Sequence, residues 1–103
     1  MYKLSVFVPE SHLEALKMAL FDAGAGKIGH YDQCSWQTLG QGQFRPLENS
    51  NPFIGKTGHL CTVSEYKLEM VVTDDKIKSI INIIKQAHPY EEPAYDCWQL
   101  ANI

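Results

Sequence analysis

The sequence predicts an α+β sandwich built from two βαβ halves, with an antiparallel sheet covered on one face by two helices. Two observations carry this. Tyr2–Pro9 and Cys61–Thr73 alternate apolar and polar residues with the period-two pattern of half-buried strands. Each is followed by a segment whose apolar residues recur with helical spacing instead. At 103 residues, 45% hydrophobic and 20% charged, the chain fits one domain spanning 1–103. That length can bury a core without disulfides or a structural metal.

In chain order, "YKLSVFVP" (2–9) is the first strand, with Leu4, Val6 and Val8 on one face and Lys3, Ser5 and Phe7 on the other. Ser11 and Glu14 have the spacing of a capping box. The helix behind them places Leu13, Leu16, Leu20 and Ala23 on one side, and Gly24 and Gly26 stop it. "YDQCSWQT" (31–38) reads as the second strand. Residues 39–60 are rich in Gly, Pro, Asn and Gln and read as a long loop, with room for a short strand at 43–46. "CTVSEYKLEMVVT" (61–73) is the clearest strand, with Tyr66, Leu68, Met70 and Val72 on one face. Asp74 or Thr73 caps a second helix with an apolar stripe of Ile77, Ile80, Ile81 and Ile84. It ends at "AHP", since the residue before a proline is steered away from helical geometry. "AYDCWQL" (94–100) is the last strand. The expected core is Leu4, Val6, Leu16, Leu20, Leu68, Met70, Ile77, Ile81 and Ile84. The order β-α-β, loop, β-α-β is that of a ferredoxin-like split βαβ sandwich.

Composition narrows the function. Net charge is −3 and Arg45 is the sole arginine, so the basic patch that nucleic-acid binding requires is missing. Cys34, Cys61 and Cys97 form no CxxC pair, which points to reduced thiols and a cytoplasmic protein. "MYKLSVFVPESH" turns polar after eight residues and no apolar span approaches membrane length, so neither a signal peptide nor a membrane partner is expected. One sheet face stays uncovered in this architecture. Phe7, an aromatic among charges there, marks a surface for homo-oligomerisation.

Three segments carry candidate site chemistry. "AGAGKIG" (23–29) is glycine-rich, but it follows a helix rather than preceding one. A phosphate cradle needs a helix N-terminus. Gly24, Gly26 and Gly29 therefore read as a helix stop and turn. The loop 39–60 exceeds ordinary connection length and carries Arg45, Lys56 and His59 as polar handles. Its Phe44, Pro46, Pro52, Phe53 and Ile54 suit packing against the same chain, a neighbouring subunit or a protein partner. "HPYEEPAYD" (88–96) is the most loaded. His88, Glu91, Glu92 and Asp96 are competent divalent-metal ligands, and His88 could act as a base. Pro89 and Pro93 equally make the segment a stiff turn. His30, Cys34, His59 and Cys61 could gather near the second and third strands, but they read more simply as core or edge residues.

"YKLSVFVP", "AGAGKIGHYDQCSW", "GQGQFRPLENSNPFIG" and "HPYEEPAYD", in that order, resemble the small domain inserted in many Nif-three-like proteins, the dinuclear-metal-centre family labelled as type-two GTP cyclohydrolase-like. That domain is similar in fold to the PII signalling proteins and to CutA. The resemblance implies a free-standing version of it. It also implies a homo-oligomer, a trimer or alternatively a dimer, with Phe7, Phe44 and Phe53 as interface residues. The loop 39–60 takes the place of the partner-binding PII loop. The family's paired metals sit in flanking domains, so its hydrolase chemistry does not carry over. The implied function is a non-catalytic regulatory module that binds a small ligand or a divalent metal. The alternative is a metal-handling protein or enzyme built on His88, Glu91 and Glu92.

Overall fold

The computed structural model of the chain describes residues 1–103. Its elements are β1 (Tyr2–Pro9), α1 (Glu10–Asp22), β2 (Trp36–Phe44), β3 (Cys61–Val72), α2 (Ile77–Ala87) and β4 (Tyr95–Gln99). The sheet order is β2-β3-β1-β4 and every neighbouring pair is antiparallel. β1 therefore runs parallel to β2 with β3 between them, the split βαβ arrangement expected. No helix is long and apolar enough to cross a membrane.

Register decides which residues meet. Leu4 opposes Met70, Val6 opposes Leu68 and Val8 opposes Tyr66, so the even positions of β1 and β3 form the face that both helices cover. Leu13, Leu16 and Leu20 of α1 and Ile77, Ile80 and Ile84 of α2 complete the buried cluster. Ile80 is fully buried, while Ile81 and Ile83 are only partly so. Of the expected core only Ile81 falls outside the buried cluster, on the flank of the stripe; Ile80 takes its place, and Val8, Leu13, Ala25 and Val72 join it. Ser5, expected on the uncovered face, is 1% exposed and its hydroxyl has no hydrogen-bond partner. β1 is a central strand, and this small side chain sits between Glu69 of β3 and Asp96 of β4.

The second strand departs most from expectation. Tyr31–Ser35 forms no strand; an Ile28–Tyr31 bridge and a turn through Gln33 at φ 53° occupy this stretch instead. β2 begins at Trp36 and runs through Gly40 and Gly42 to Phe44, pairing with β3 from Glu69 back to Cys61. The loop is correspondingly shorter, residues 45–60. Glycines are poor strand formers in isolation. Here the long β3 supplies a template, and the resulting two-stranded arm lengthens the molecule to 47 Å against 25 and 23 Å in the other directions.

Both helix starts also differ from expectation. Pro9 is the N-cap of α1 and Lys76 that of α2, and neither helix has a side-chain cap. The Ser11 hydroxyl bonds the His12 ring at 2.8 Å, and Asp74 takes the N-terminal ammonium. α1 closes in a Schellman motif: Gly24 N–H donates to Phe21 C=O and Ala25 N–H to Leu20 C=O. Gly24, at φ +102°, supplies the left-handed residue that this motif requires.

Candidate functional site

His88 is where the last connection is anchored. As the C-cap of α2 it turns the chain out of the helix at φ −80°, ψ 137°, and its N–H still reaches Ile84 C=O. The ring is 6% exposed. β4 ends its pairing with β1 at Tyr95–Val6, and beyond this pair Phe7 N–H donates to Ala94 C=O. The Phe7 carbonyl on that side has no strand to receive, and the His88 ring takes it, Nε2 to O 2.7 Å. A carbonyl only accepts, so Nε2 carries the proton. The other nitrogen, Nδ1, accepts the Tyr90 N–H at 3.1 Å. Both ring nitrogens are therefore spent on backbone groups, and the imidazole is neutral. Burial holds its pKa below the ordinary 6.5, partly offset by the Phe7 carbonyl.

Past His88 the chain lays Tyr90 against its own imidazole, ring centroids 4.8 Å apart. The loop 45–60 then folds onto Tyr90. Glu91 accepts the Asn51 N–H at 2.7 Å, Gly58 N–H reaches Pro46 C=O at 2.7 Å, and Phe53 packs edge-on against His12 at 5.4 Å. Phe44 and Phe53 lie 6.2 and 6.4 Å from the Tyr90 ring. Between loop, arm and turn opens a groove of about 440 Å³, with Phe7, Phe44, Pro52, Phe53, Ile54 and Tyr90 as its apolar lining.

Few polar groups enter it: Glu65 from β3, Glu91 and Glu92 from the turn, and Arg45 from the loop are the charged ones. Glu65 is half-buried and has no cation at ion-pair distance; Lys67, on the same face, pairs with Glu69 at 3.8 Å. Burial raises the Glu65 pKa, with the neighbouring Tyr90 hydroxyl acting in the opposite direction. Tyr90 is pushed up to about 12, by burial first and then by the Glu65 carboxylate. The two groups lie close, but the Tyr90 hydroxyl reaches no partner in hydrogen-bonding geometry. Gly42 makes the arrangement possible, because an added Cβ there would overlap the Glu65 carboxylate.

The structure disperses the metal-ligand candidates. His88 is closed off by the backbone, and Glu91 lends one oxygen to Asn51. Asp96 is exposed on β4 opposite Ser5, and His59 is exposed on the loop outside the groove lining. No three His, Cys, Asp or Glu side chains come together as a metal-binding set. Arg45, Phe7, Phe44, Phe53, Glu91 and Glu92 do converge, and they do so in the groove. Gly26 lies deep, its N–H on Val71 C=O, and Gly29 is exposed at φ +57°. Glu65 and Gly42 are the site residues that the sequence does not single out. Strand alternation puts Glu65 on the uncovered face, but Tyr90 and Gly42 of β2 lie beside its carboxylate.

Sheet order and helix placement give the PII-like, CutA-like α+β fold. The PII-like CutA of Nostoc sp. PCC 7120 superimposes with a TM-score of 0.69 over 97% of this chain and 81% of its own, at 17% identity. The divalent cation tolerance protein CutA of Archaeoglobus fulgidus gives 0.71 over 99% and 86%, at 13% identity. Sequence relationship lies elsewhere: this chain is a homologue of one segment of the NIF3-related proteins. It is 48% identical over 102 residues to the GTP cyclohydrolase 1 type 2 homolog of Halalkalibacterium halodurans, and 45% identical over 96 residues to that of Bacillus subtilis. The Bacillus cereus protein related to NIF3 superimposes with a TM-score of 0.84 at 40% identity, over 98% of this chain. In each case the chain spans about a quarter of the relative, 27%, 26% and 26% respectively. No protein-family model matches the chain.

Proposed function

We propose that this domain is a non-catalytic regulatory module that binds a small ligand in the groove between the β2–β3 arm, the loop 45–60 and the His88–Pro93 turn. The groove carries the proposal. Its size falls within the range of small-molecule sites, and its lining has their composition, mostly apolar walls with a few convergent polar groups. Employment of both His88 nitrogens by the backbone weighs against the alternative of a metal-handling protein or enzyme built on His88, Glu91 and Glu92. A thermal-shift screen across cationic, neutral and anionic small molecules and divalent metals tests the reading. A stabilising organic ligand whose effect is lost in Phe44→Ala supports it. A hit confined to divalent metals, and abolished by His88→Ala, favours the alternative.

The module is further proposed to work as a homo-oligomer, a trimer or alternatively a dimer. Trp36 and Trp98 support this, at 63% and 46% exposed. Strand register puts both on the uncovered sheet face, where Trp36 opposes Glu69 and Trp98 opposes Lys3. Light scattering at micromolar concentration is expected to return a multiple of the 11.7 kDa chain mass. A monomer refutes it. A cytoplasmic location and a protein partner docking on the loop 45–60 belong to the same proposal.

A further inference from the structure

We infer that the groove selects a compact organic cation, an ammonium or quaternary ammonium group carried on a small apolar body. The inference rests on the ligand-module reading above and names the chemistry of its ligand.

Charge is the first argument. Glu65, Glu91 and Glu92 face the groove against one cation, Arg45. None of the three carboxylates is in an ion pair within the chain, whose ion pairs are Met1–Asp74, Lys17–Glu14 and Lys67–Glu69. An anion entering here would meet three carboxylates. A neutral apolar ligand would bury Glu65 further and leave its charge uncompensated, which is costly. A metal ion would need a convergent donor set that these side chains do not form.

The walls are the second argument. Phe7, Phe44, Phe53 and Tyr90 contribute four aromatic rings to one groove. The face of an aromatic ring is electrically negative and attracts a poorly hydrated cation. Rings and carboxylate together accept an alkylammonium better than either alone, because the methyl groups stay in apolar contact while the charge is neutralised.

Placement of the carboxylate is the third. The Glu65 carboxylate lies against Gly42, where a side chain at that position would displace it. Glycine in a paired strand is unfavourable, and here it leaves room for the Glu65 carboxylate. Burial already disfavours the ionised form of Glu65, so an incoming cation restores what desolvation costs.

The test compares choline with its uncharged carbon isostere, in which a tert-butyl group replaces the trimethylammonium, by chemical-shift titration of the full chain. Choline is expected to move the resonances of Phe7, Phe44 and Tyr90 and to bind about ten-fold more tightly than the isostere, the scale of a partly desolvated cation–π contact. Glu65→Gln should clearly narrow the preference for choline, leaving the share that the rings supply, without abolishing the binding of the isostere. Gly42→Ala, which displaces the carboxylate without removing it, should act the same way and provides a second variant if the first does not fold. Equal binding of both probes to the wild-type chain overturns the cation inference and leaves the ligand module standing. Groove resonances unmoved by either probe also overturn the cation inference, while the ligand module is decided separately by the wider thermal-shift screen.

Discussion

Ile80→Ala is expected to destabilise the domain by about 2–5 kcal/mol, the range for truncating a large aliphatic side chain in a packed core. Ile80 has no exposed surface, and it belongs to the cluster in which α2 packs with α1 and the even positions of β1 and β3. Its removal leaves a void that neighbours such as Leu16, Leu20 and Leu68, all fully buried, can fill only by leaving their own contacts. Ile81→Ala provides the internal control. The two residues are chemically identical and adjacent, and they differ in how far the fold buries them. Ile81 keeps a solvent-facing side, so its truncation should cost clearly less, about 1 kcal/mol, on transfer alone. Urea denaturation of both variants, read from midpoints at unchanged slope, separates them. Equal losses would mean that the helix is rotated about its axis relative to this structure.

The pair also shows where sequence reasoning reaches its limit. A stripe at 77, 80, 81 and 84 identifies a helix and its buried side. It spans a wide arc, though, and which of its flanks lies deeper depends on where α1 and the sheet sit beneath it. The strands divide in the same way. β3 was legible because twelve residues alternate without interruption. β2 was displaced by five residues because Gly40 and Gly42 carry no strand signal of their own, and the pairing that holds them comes from a segment about twenty-five residues further on. The groove was partly legible: the aromatic loop residues and the "HPYEEP" turn stood out, and they do converge. Glu65 did not stand out. A carboxylate on an alternating strand looks solvated until a side chain from a distant turn, here Tyr90, lies beside it.

His88→Leu is expected to cost about 2–5 kcal/mol, because the leucine fills space but bonds neither backbone group. The Phe7 carbonyl and the Tyr90 N–H would each lose a partner, at about 1–3 kcal/mol for a buried polar group. The pH dependence of stability then distinguishes a lost neutral hydrogen bond from a lost charge. In the unfolded chain His88 protonates near pH 6.5, whereas in the fold burial holds its pKa lower. Between those two values the unfolded state binds the extra proton, so stability is complete above about pH 6.5 and falls as the pH drops toward the folded pKa. The chemistry agrees with the sign: a protonated Nδ1 can no longer accept from Tyr90 N–H, and its charge would sit at a site 6% exposed. Carboxylates titrate over part of the same range, so the diagnostic quantity is the difference between wild type and His88→Leu. That difference should shrink as the pH is lowered from neutrality through about 6.5. If it instead grows on acidification, the native ring is an imidazolium bound to the Phe7 carbonyl, and the neutral-histidine anchor for this turn is wrong.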